Sequence, residues 1–340
     1  MTAVKRGATL ADVAREAGFS KSTASLVFQD SPLPARETRQ AILDAAERLG
    51  YVYNRRAASL RSQRSNTIGM VVGALANPFF SELVEAVEEE LAPAGFTVLL
   101  GTTLEDLRQQ ESLIQTLLEY RIDGMLIVPA NGSTPEFALP LERMGLPHVV
   151  LTRKYEGLRS PYAGLDDGAA GRVGGEHLVA QGCRTLAYFG GPAGVYTREE
   201  RIRGFRAAVA HGGRLVDERW CAPTKTSSNA GYERASTLLA AGSPPDGILC
   251  HSDAVAFGLM HALADSGLRV GMDVRVVGFD DLELSRHSSP TLTSISVEAR
   301  QMGKAAVDLL LRQMQGEPAG DPVVFAPRLE VRESCGAVRS

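Results

Sequence analysis

The sequence predicts a small all-α head joined to a two-lobed α/β body, and three observations predict it. Residues 9 to 52 carry apolar residues at helical spacing, with no strand-like alternation. From Ile68 onward, short continuous apolar runs alternate with helical stretches, and a second series of the same kind begins after residue 160. Continuous apolar strands separated by helices mark a parallel sheet buried on both faces, so two series in tandem make two lobes with a cleft between them.

The head comes first. Thr9 can cap a helix, and Asp12 three residues on favours its positive start. Leu10, Val13, Ala14 and Ala17 share one face of that helix, and Gly18 ends it. Ser20 caps a second helix through about Phe28. Ala14, Gly18 and Ala24 are small or flexible where two helices cross closely. This is the helix-turn-helix pattern, whose second helix lies in the major groove of DNA. The loop Gln29-Asp30-Ser31-Pro32-Leu33-Pro34 leads to a third helix at 36 to 49, with Ile42, Ala45, Ala46 and Leu49 on one face. Residues 53 to 66 read as a basic linker with Arg55, Arg56, Arg61 and Arg64, carrying a small apolar element at Ala57, Ala58 and Leu60.

In the body, strands are expected at 67 to 72, 97 to 100, 124 to 128 and 148 to 151, with helices at 80 to 91 and 105 to 120. The second series places strands at 185 to 190, near 247 to 250 and at 274 to 279. Gly168, Gly171, Gly174 and Gly175 do not fit a dinucleotide fingerprint; they permit close helix packing after a cap at Asp166 or Asp167.

Composition narrows the function. With 340 residues there is room for two or three domains, and 44% hydrophobic and 22% charged residues are ordinary for a globular protein. The net charge of −4 conceals an asymmetry, with residues 1 to 66 at +5 and the remainder at −9. A basic head on an acidic body suits local DNA binding without general stickiness. Cys183, Cys221, Cys250 and Cys335 are scattered, which fits buried thiols in a reducing compartment. Lys5 and Arg6 are followed by no apolar core of a signal peptide, and no apolar run reaches the length of a membrane span, so a cytoplasmic protein without membrane contact is expected. His251-Ser252-Asp253 looks superficially catalytic, but sequence neighbours rarely converge on one point. No nucleophile elbow, P-loop or metal-ligand spacing is present. Neither catalysis, a cofactor nor a metal is expected.

The combined pattern of Thr9, Asp12-Val13-Ala14, Ala17-Gly18, Ser20, Thr23, Ser25, Thr38-Arg39, Leu49-Gly50-Tyr51, Asn54, Ala57, Leu60 and Ile68-Gly69 resembles the LacI/GalR family of bacterial transcriptional regulators. The resemblance continues to the C-terminus. Where the family often has Val, Asn and Pro, this chain has Ala24, Gln29 and Tyr53, and Tyr53 leaves the approach to the linker less rigid. The resemblance implies a type I periplasmic-binding-protein-like body at 67 to 340, with lobe 1 at about 67 to 162 plus 294 to 323. Lobe 2 is then about 163 to 293 plus 324 to 340. It implies a homodimer on double-stranded, pseudo-palindromic operator DNA, repressing transcription under control of a small metabolite, a sugar or sugar acid. The alternatives are a two-lobed solute-binding receptor without a regulatory role, or a sugar enzyme.

Residue by residue, the resemblance assigns DNA contact to Thr9, Ser20, Lys21, Ser22, Thr23, Ser25 and Leu26. In the linker it adds Asn54, Arg55, Ala57 and Leu60, the last as a minor-groove wedge from a hinge helix at 53 to 66. It assigns the effector to Asn77, Phe79, Phe80, Thr152, Arg153, Thr197, Arg201, Thr226, Ser252 and Asp280. Sugar regulators often carry acidic, amide or aromatic residues at the positions of Thr152, Ser252 and Thr226. With Arg153, Arg198 and Lys225 beside Arg201, the expectation is an anionic effector.

Overall fold

A computed structural model describes residues 8 to 28, 31 to 53, 65 to 318 and 320 to 336. The chain divides into two units, residues 1 to 65 and 66 to 340. In the first, α1 (Leu10–Glu16), α2 (Lys21–Phe28) and α3 (Arg36–Arg48) enclose a core of Val13, Ala14, Ala24, Val27, Ile42, Ala45 and Ala46. Thr9 and Asp12 form the reciprocal cap, with the Asp12 N–H donating to Thr9 Oγ1 and the Thr9 N–H to Asp12 Oδ2. Gly18 takes φ +76°, the left-handed turn that lets α1 stop and α2 cross it. Ser20 Oγ accepts from the Thr23 N–H at 3.0 Å and starts α2. The Phe28 ring stacks on Tyr53 (centroids 5.1 Å, planes 9° apart), so an aromatic stack fixes the approach that the missing proline had suggested was loose. The expected linker helix, with Asn54, Arg55, Ala57 and Leu60, lies outside the described residues.

The second unit contains two six-stranded sheets. Lobe 1 begins with β1 (Thr67–Val72), α4 (Pro78–Leu91), β2 (Thr97–Thr102) and α5 (Leu107–Glu119). It continues through β3 (Gly124–Ile127), α6 (Leu139–Arg143), β4 (His148–Leu151) and β5 (Tyr162–Leu165). The chain then crosses to lobe 2, which runs α7 (Asp167–Ala180), β6 (Thr185–Phe189), α8 (Tyr196–His211), β7 (Leu215–Val216), α9 (Ser228–Ala240) and β8 (Gly247–Cys250). There follow α10 (Asp253–Asp265), β9 (Arg275–Asp280), α11 (Glu283–His287) and β10 (Thr293–Ser296). A second crossing puts α12 (Ala299–Met314) and β11 (Val323–Phe325) on lobe 1, and a third returns β12 (Arg328–Glu330) to lobe 2. The strand orders are β11-β5-β4-β3-β1-β2 and β12-β10-β9-β8-β6-β7, parallel throughout except for the antiparallel β10–β12 pair.

The crossings fall a few residues later than expected. β5 stays with lobe 1, and β10 pairs β9 in lobe 2, so the boundaries at 162 and 294 move past 165 and 296. The β10 segment Thr-Ser-Ile-Ser is rich in hydroxyls, yet the strand is buried because Thr293 and Ser294 are hydrogen-bonded within the protein. Ser294 Oγ donates to Asp253 Oδ1 at 2.6 Å, and Thr293 Oγ1 donates to the Arg332 carbonyl at 3.0 Å. β11 likewise pairs β5 and carries lobe 1 through Phe325 rather than 323. Helix α5 starts at Leu107, not 105, because Leu104 and Glu105 both take positive φ (+50° and +64°) before Asp106 caps it.

Candidate functional site

Within the head, the sequence-assigned residues of α2 divide by face. Ala24 and Val27 are buried, Lys21 and Ser22 are exposed, and Ser25 and Leu26 are half-buried. Thr9 and Ser20 are exposed at the two helix starts, and Thr23 is half-buried. Ser20 Oγ lies 2.7 Å from Ser22 Oγ and 2.8 Å from Thr23 Oγ1, so the hydroxyls form one polar cluster at the start of α2. A positive helix terminus with exposed Ser, Thr and Lys side chains suits phosphate and base contacts.

In the body, a cavity of about 470 Å³ opens between the lobes at the carboxyl ends of the strands. All ten sequence-assigned effector residues line it. Asn77 caps α4 by accepting from the Phe79 N–H at 3.2 Å, which aims the Phe79 and Phe80 rings, packed edge to face, at the cavity. Thr152 (φ +59°) and Arg153 follow β4. Thr197 and Arg201 come from the first turns of α8, and Thr226 from the segment before α9. Ser252 caps α10 and Asp280 ends β9.

Helix packing sets Arg201. A Cβ at Gly171 would lie 1.8 Å from the Arg201 carbonyl oxygen, and one at Gly204 would lie 1.9 Å from that of Gly168. The glycines therefore bring α7 and α8 into backbone contact, placing Asp167 against Arg201. Arg201 Nε donates to Asp167 Oδ1 at 2.7 Å, and another guanidinium nitrogen donates to the His251 carbonyl at 3.0 Å. The guanidinium carbon lies 3.5 Å from the Phe279 ring centre. Burial raises the Asp167 carboxyl to about 6 against the opposing pull of the Arg201 charge, leaving an ion pair at neutral pH.

The neighbouring arginines are also engaged. Arg153 makes a two-pronged pair with Glu105 at 2.7 and 2.8 Å and donates to the Pro129 carbonyl. Arg198 does not line the cavity: it donates to the carbonyls of Gly190 (3.0 Å) and Cys221 (3.2 Å) and packs on Tyr188. The expected cluster of cations awaiting an anion is therefore corrected. Arg198 is structural, and Arg153 and Arg201 hold carboxylates of the protein itself. Lys225 remains, exposed at the cavity edge.

Glu105, Asp167 and His251 are cavity residues that the sequence assignment missed. His251 is held by Tyr188, whose oxygen lies 2.9 Å from Nδ1. Burial pushes the Tyr188 phenol above its ordinary range, so it stays protonated beside the imidazole. Burial, with Arg201, Arg198 and Arg153 nearby, holds His251 well below its usual range and neutral. Asp280 sits at φ +114° with Oδ2 buried and unpartnered among the described residues. Burial first, then the Asp253 charge, raises its carboxyl well above the ordinary range. An orphaned carboxyl oxygen in a cavity also lined by an imidazole and aromatic faces suits hydroxyl groups on a partly apolar ring.

His251, Ser252 and Asp253 diverge. Asp253 turns from the cavity to accept from Ser285 and Ser294 hydroxyls, both at 2.6 Å.

Comparison with known proteins agrees with this architecture. Residues 9 to 54 match the model for bacterial regulatory proteins of the lacI family, and residues 176 to 335 match that for a periplasmic binding protein-like domain. The chain is 31% identical over 331 residues to the HTH-type transcriptional repressor PurR of Photobacterium profundum, covering 96% of this chain and 98% of that one. The lac repressor dimer bound to operator and the anti-inducer ONPF superposes with a TM-score of 0.83 at 27% identity, covering 98% of this chain and 100% of the other. The transcriptional regulator CelR in complex with cellobiose superposes with a TM-score of 0.71 at 29% identity, covering 96% and 99%. With a helix-turn-helix head ahead of a two-sheet body, and with relatives that match it nearly end to end, the chain belongs to the LacI family of bacterial regulatory proteins and is a DNA-binding transcriptional repressor.

Proposed function

We propose that a neutral, hydroxyl-rich small molecule binds between the lobes and changes the affinity of a homodimer for a pseudo-palindromic operator. The observation that carries this reading is the internal pairing of Arg153 and Arg201. With both guanidinium groups engaged, the cavity offers Asp280 Oδ2, the His251 imidazole and the Phe79–Phe80 faces to its ligand. The cellobiose held by CelR is a ligand of this chemical kind. It replaces the anionic effector suggested by the sequence alone. In the head, Lys21, Ser22, Ser25 and Leu26 face the bases, with Thr9, Ser20 and Thr23 nearer phosphate. Asn54, Arg55, Ala57 and Leu60 are assigned to the linker's DNA contact by family resemblance.

The test is a thermal-shift screen of small metabolites, followed by calorimetry with matched pairs: neutral sugars against their uronic or aldonic acids. Tighter binding of the neutral member, abolished in Asp280→Ala, is expected, together with a ligand-dependent change in retardation of the gene's own upstream DNA. Stronger binding of the acids would overturn the neutral reading. A ligand that binds without altering DNA affinity would overturn the coupling, which must be reciprocal between the two sites.

A further inference from the structure

The geometry points to Glu105 as a specificity-determining residue. It is the protein's own counter-anion, seated on Arg153 so that carboxylates and phosphates are excluded from the cleft. Arg153 is buried beside the cavity, with a side-chain exposure of 8%, and a lone guanidinium there would be a ready receptor for a forked anion. Glu105 already fills that role with both oxygens, at 2.7 and 2.8 Å.

Three further features are arranged around this carboxylate. The backbone bends through two consecutive left-handed residues, Leu104 and Glu105, to deliver it. The Asn131 N–H donates to Glu105 Oε2 at 2.8 Å and fixes the carboxylate plane. Gly73 leaves it room, since a Cβ there would stand 2.5 Å from Oε1. A ligand anion would have to displace this carboxylate from a seat that three separate segments hold in place. A neutral hydroxyl compound meets no such competition. The inference rests on the cleft being the ligand site, and it names the residue that sets the charge of what enters.

The experiment uses sulfate, which is small enough to reach Arg153 whatever the shape of the natural ligand. The full chain and its Glu105→Gln, Glu105→Gln/Arg153→Met and Gly73→Ala variants are titrated with sodium sulfate by calorimetry and thermal shift, against sodium chloride of equal ionic strength. Glu105→Gln should bind sulfate saturably and at least about tenfold more tightly than the parent, equivalent to 1.4 kcal/mol. The double variant should return to the parent's behaviour. Gly73→Ala, which crowds the carboxylate without changing charge, should move toward Glu105→Gln and gives an independent reading if that variant does not fold. Parent-like sulfate affinity in the folded single variants, or undiminished binding in the double variant, overturns the assignment. Because sulfate replaces the natural ligand, a failure of the neutral-ligand reading shows separately, in the matched-pair calorimetry.

Discussion

Gly171→Ala should damage both stability and the cavity, and its cost can be worked from the helix contact. An alanine in a helix interior gains about 1 kcal/mol over glycine. Here the added Cβ would lie 1.8 Å from the Arg201 carbonyl oxygen, 2.6 Å from its carbon and 2.8 Å from its Cα. These are backbone atoms, so no side-chain rotation relieves the clash. Reaching an ordinary separation of roughly 3.5 Å requires α7 and α8 to part by about 1.7 Å. Overpacking of this kind costs about 1–3 kcal/mol. The same movement stretches the Asp167–Arg201 bond from 2.7 Å to beyond hydrogen-bond reach, and breaking a buried pair costs about 3–5 kcal/mol when one charge is left alone. Partial relaxation and the helix gain offset some of this, so a net loss of about 2–4 kcal/mol is expected. Urea unfolding of the variant beside Gly168→Ala measures it. At Gly168 the nearest atom to a new Cβ is a movable Arg203 nitrogen at 3.3 Å, so that variant should be neutral or slightly stabilised. A Gly171→Ala midpoint at or above the parent's would refute the claim that backbone contact positions Arg201.

Two other outcomes follow from buried carboxyls and from the exposed face of α2. Burial pushes Asp253 up to about 7 and Asp167 up to about 6, so the folded chain holds protons that the unfolded chain releases above its ordinary range near 3.8. Their contribution is complete below that range and is lost as pH rises through 6 and 7. Between pH 4 and 7 they therefore tilt stability downward, with Asp253 supplying on the order of 4 kcal/mol. Denaturant midpoints against pH should show a flatter profile in Asp253→Asn, and an unchanged slope would remove that residue from the account. Lys21→Ala should weaken specific DNA binding by about 1–3 kcal/mol and relax preference at one operator position, as read by binding-site selection. Retained sequence preference would place Lys21 on phosphate alone.

Much of this architecture could be read directly from the chain, because burial on both faces leaves a continuous apolar signature. Gly-Met-Leu-Ile at 124 to 127 and His-Val-Val-Leu at 148 to 151 became strands where that signature stood. The lobe boundary at 294 fell too early because β10, whose Thr293 and Ser294 hydroxyls bond to the Arg332 carbonyl and to Asp253, carries no such pattern. In the cleft, the resemblance placed ten residues at the cavity but could not give their directions. Arg198 lies three residues before Arg201, and only side-chain geometry turns one to backbone carbonyls and the other to Asp167. Glu105 was hidden for a different reason. It reads as the start of a helix, and the left-handed turn that sends it to Arg153 follows from long-range contacts with Asn131 and Gly73.

The late crossings also govern how the body can be assembled on the ribosome. β11 completes the sheet of lobe 1, while β12 and residues 333 to 335 close that of lobe 2, where Ser334 Oγ donates to the Val276 carbonyl and Cys335 is buried. The head has its own core and can form as soon as its helices emerge. Neither lobe has its last strand until residues beyond 323 have been made, so late in synthesis a nascent chain carries a finished DNA-binding module and two sheets that each still lack an edge strand. A nonsense or frameshift lesion near residue 320 would therefore leave the head intact while stripping an edge from each lobe at once.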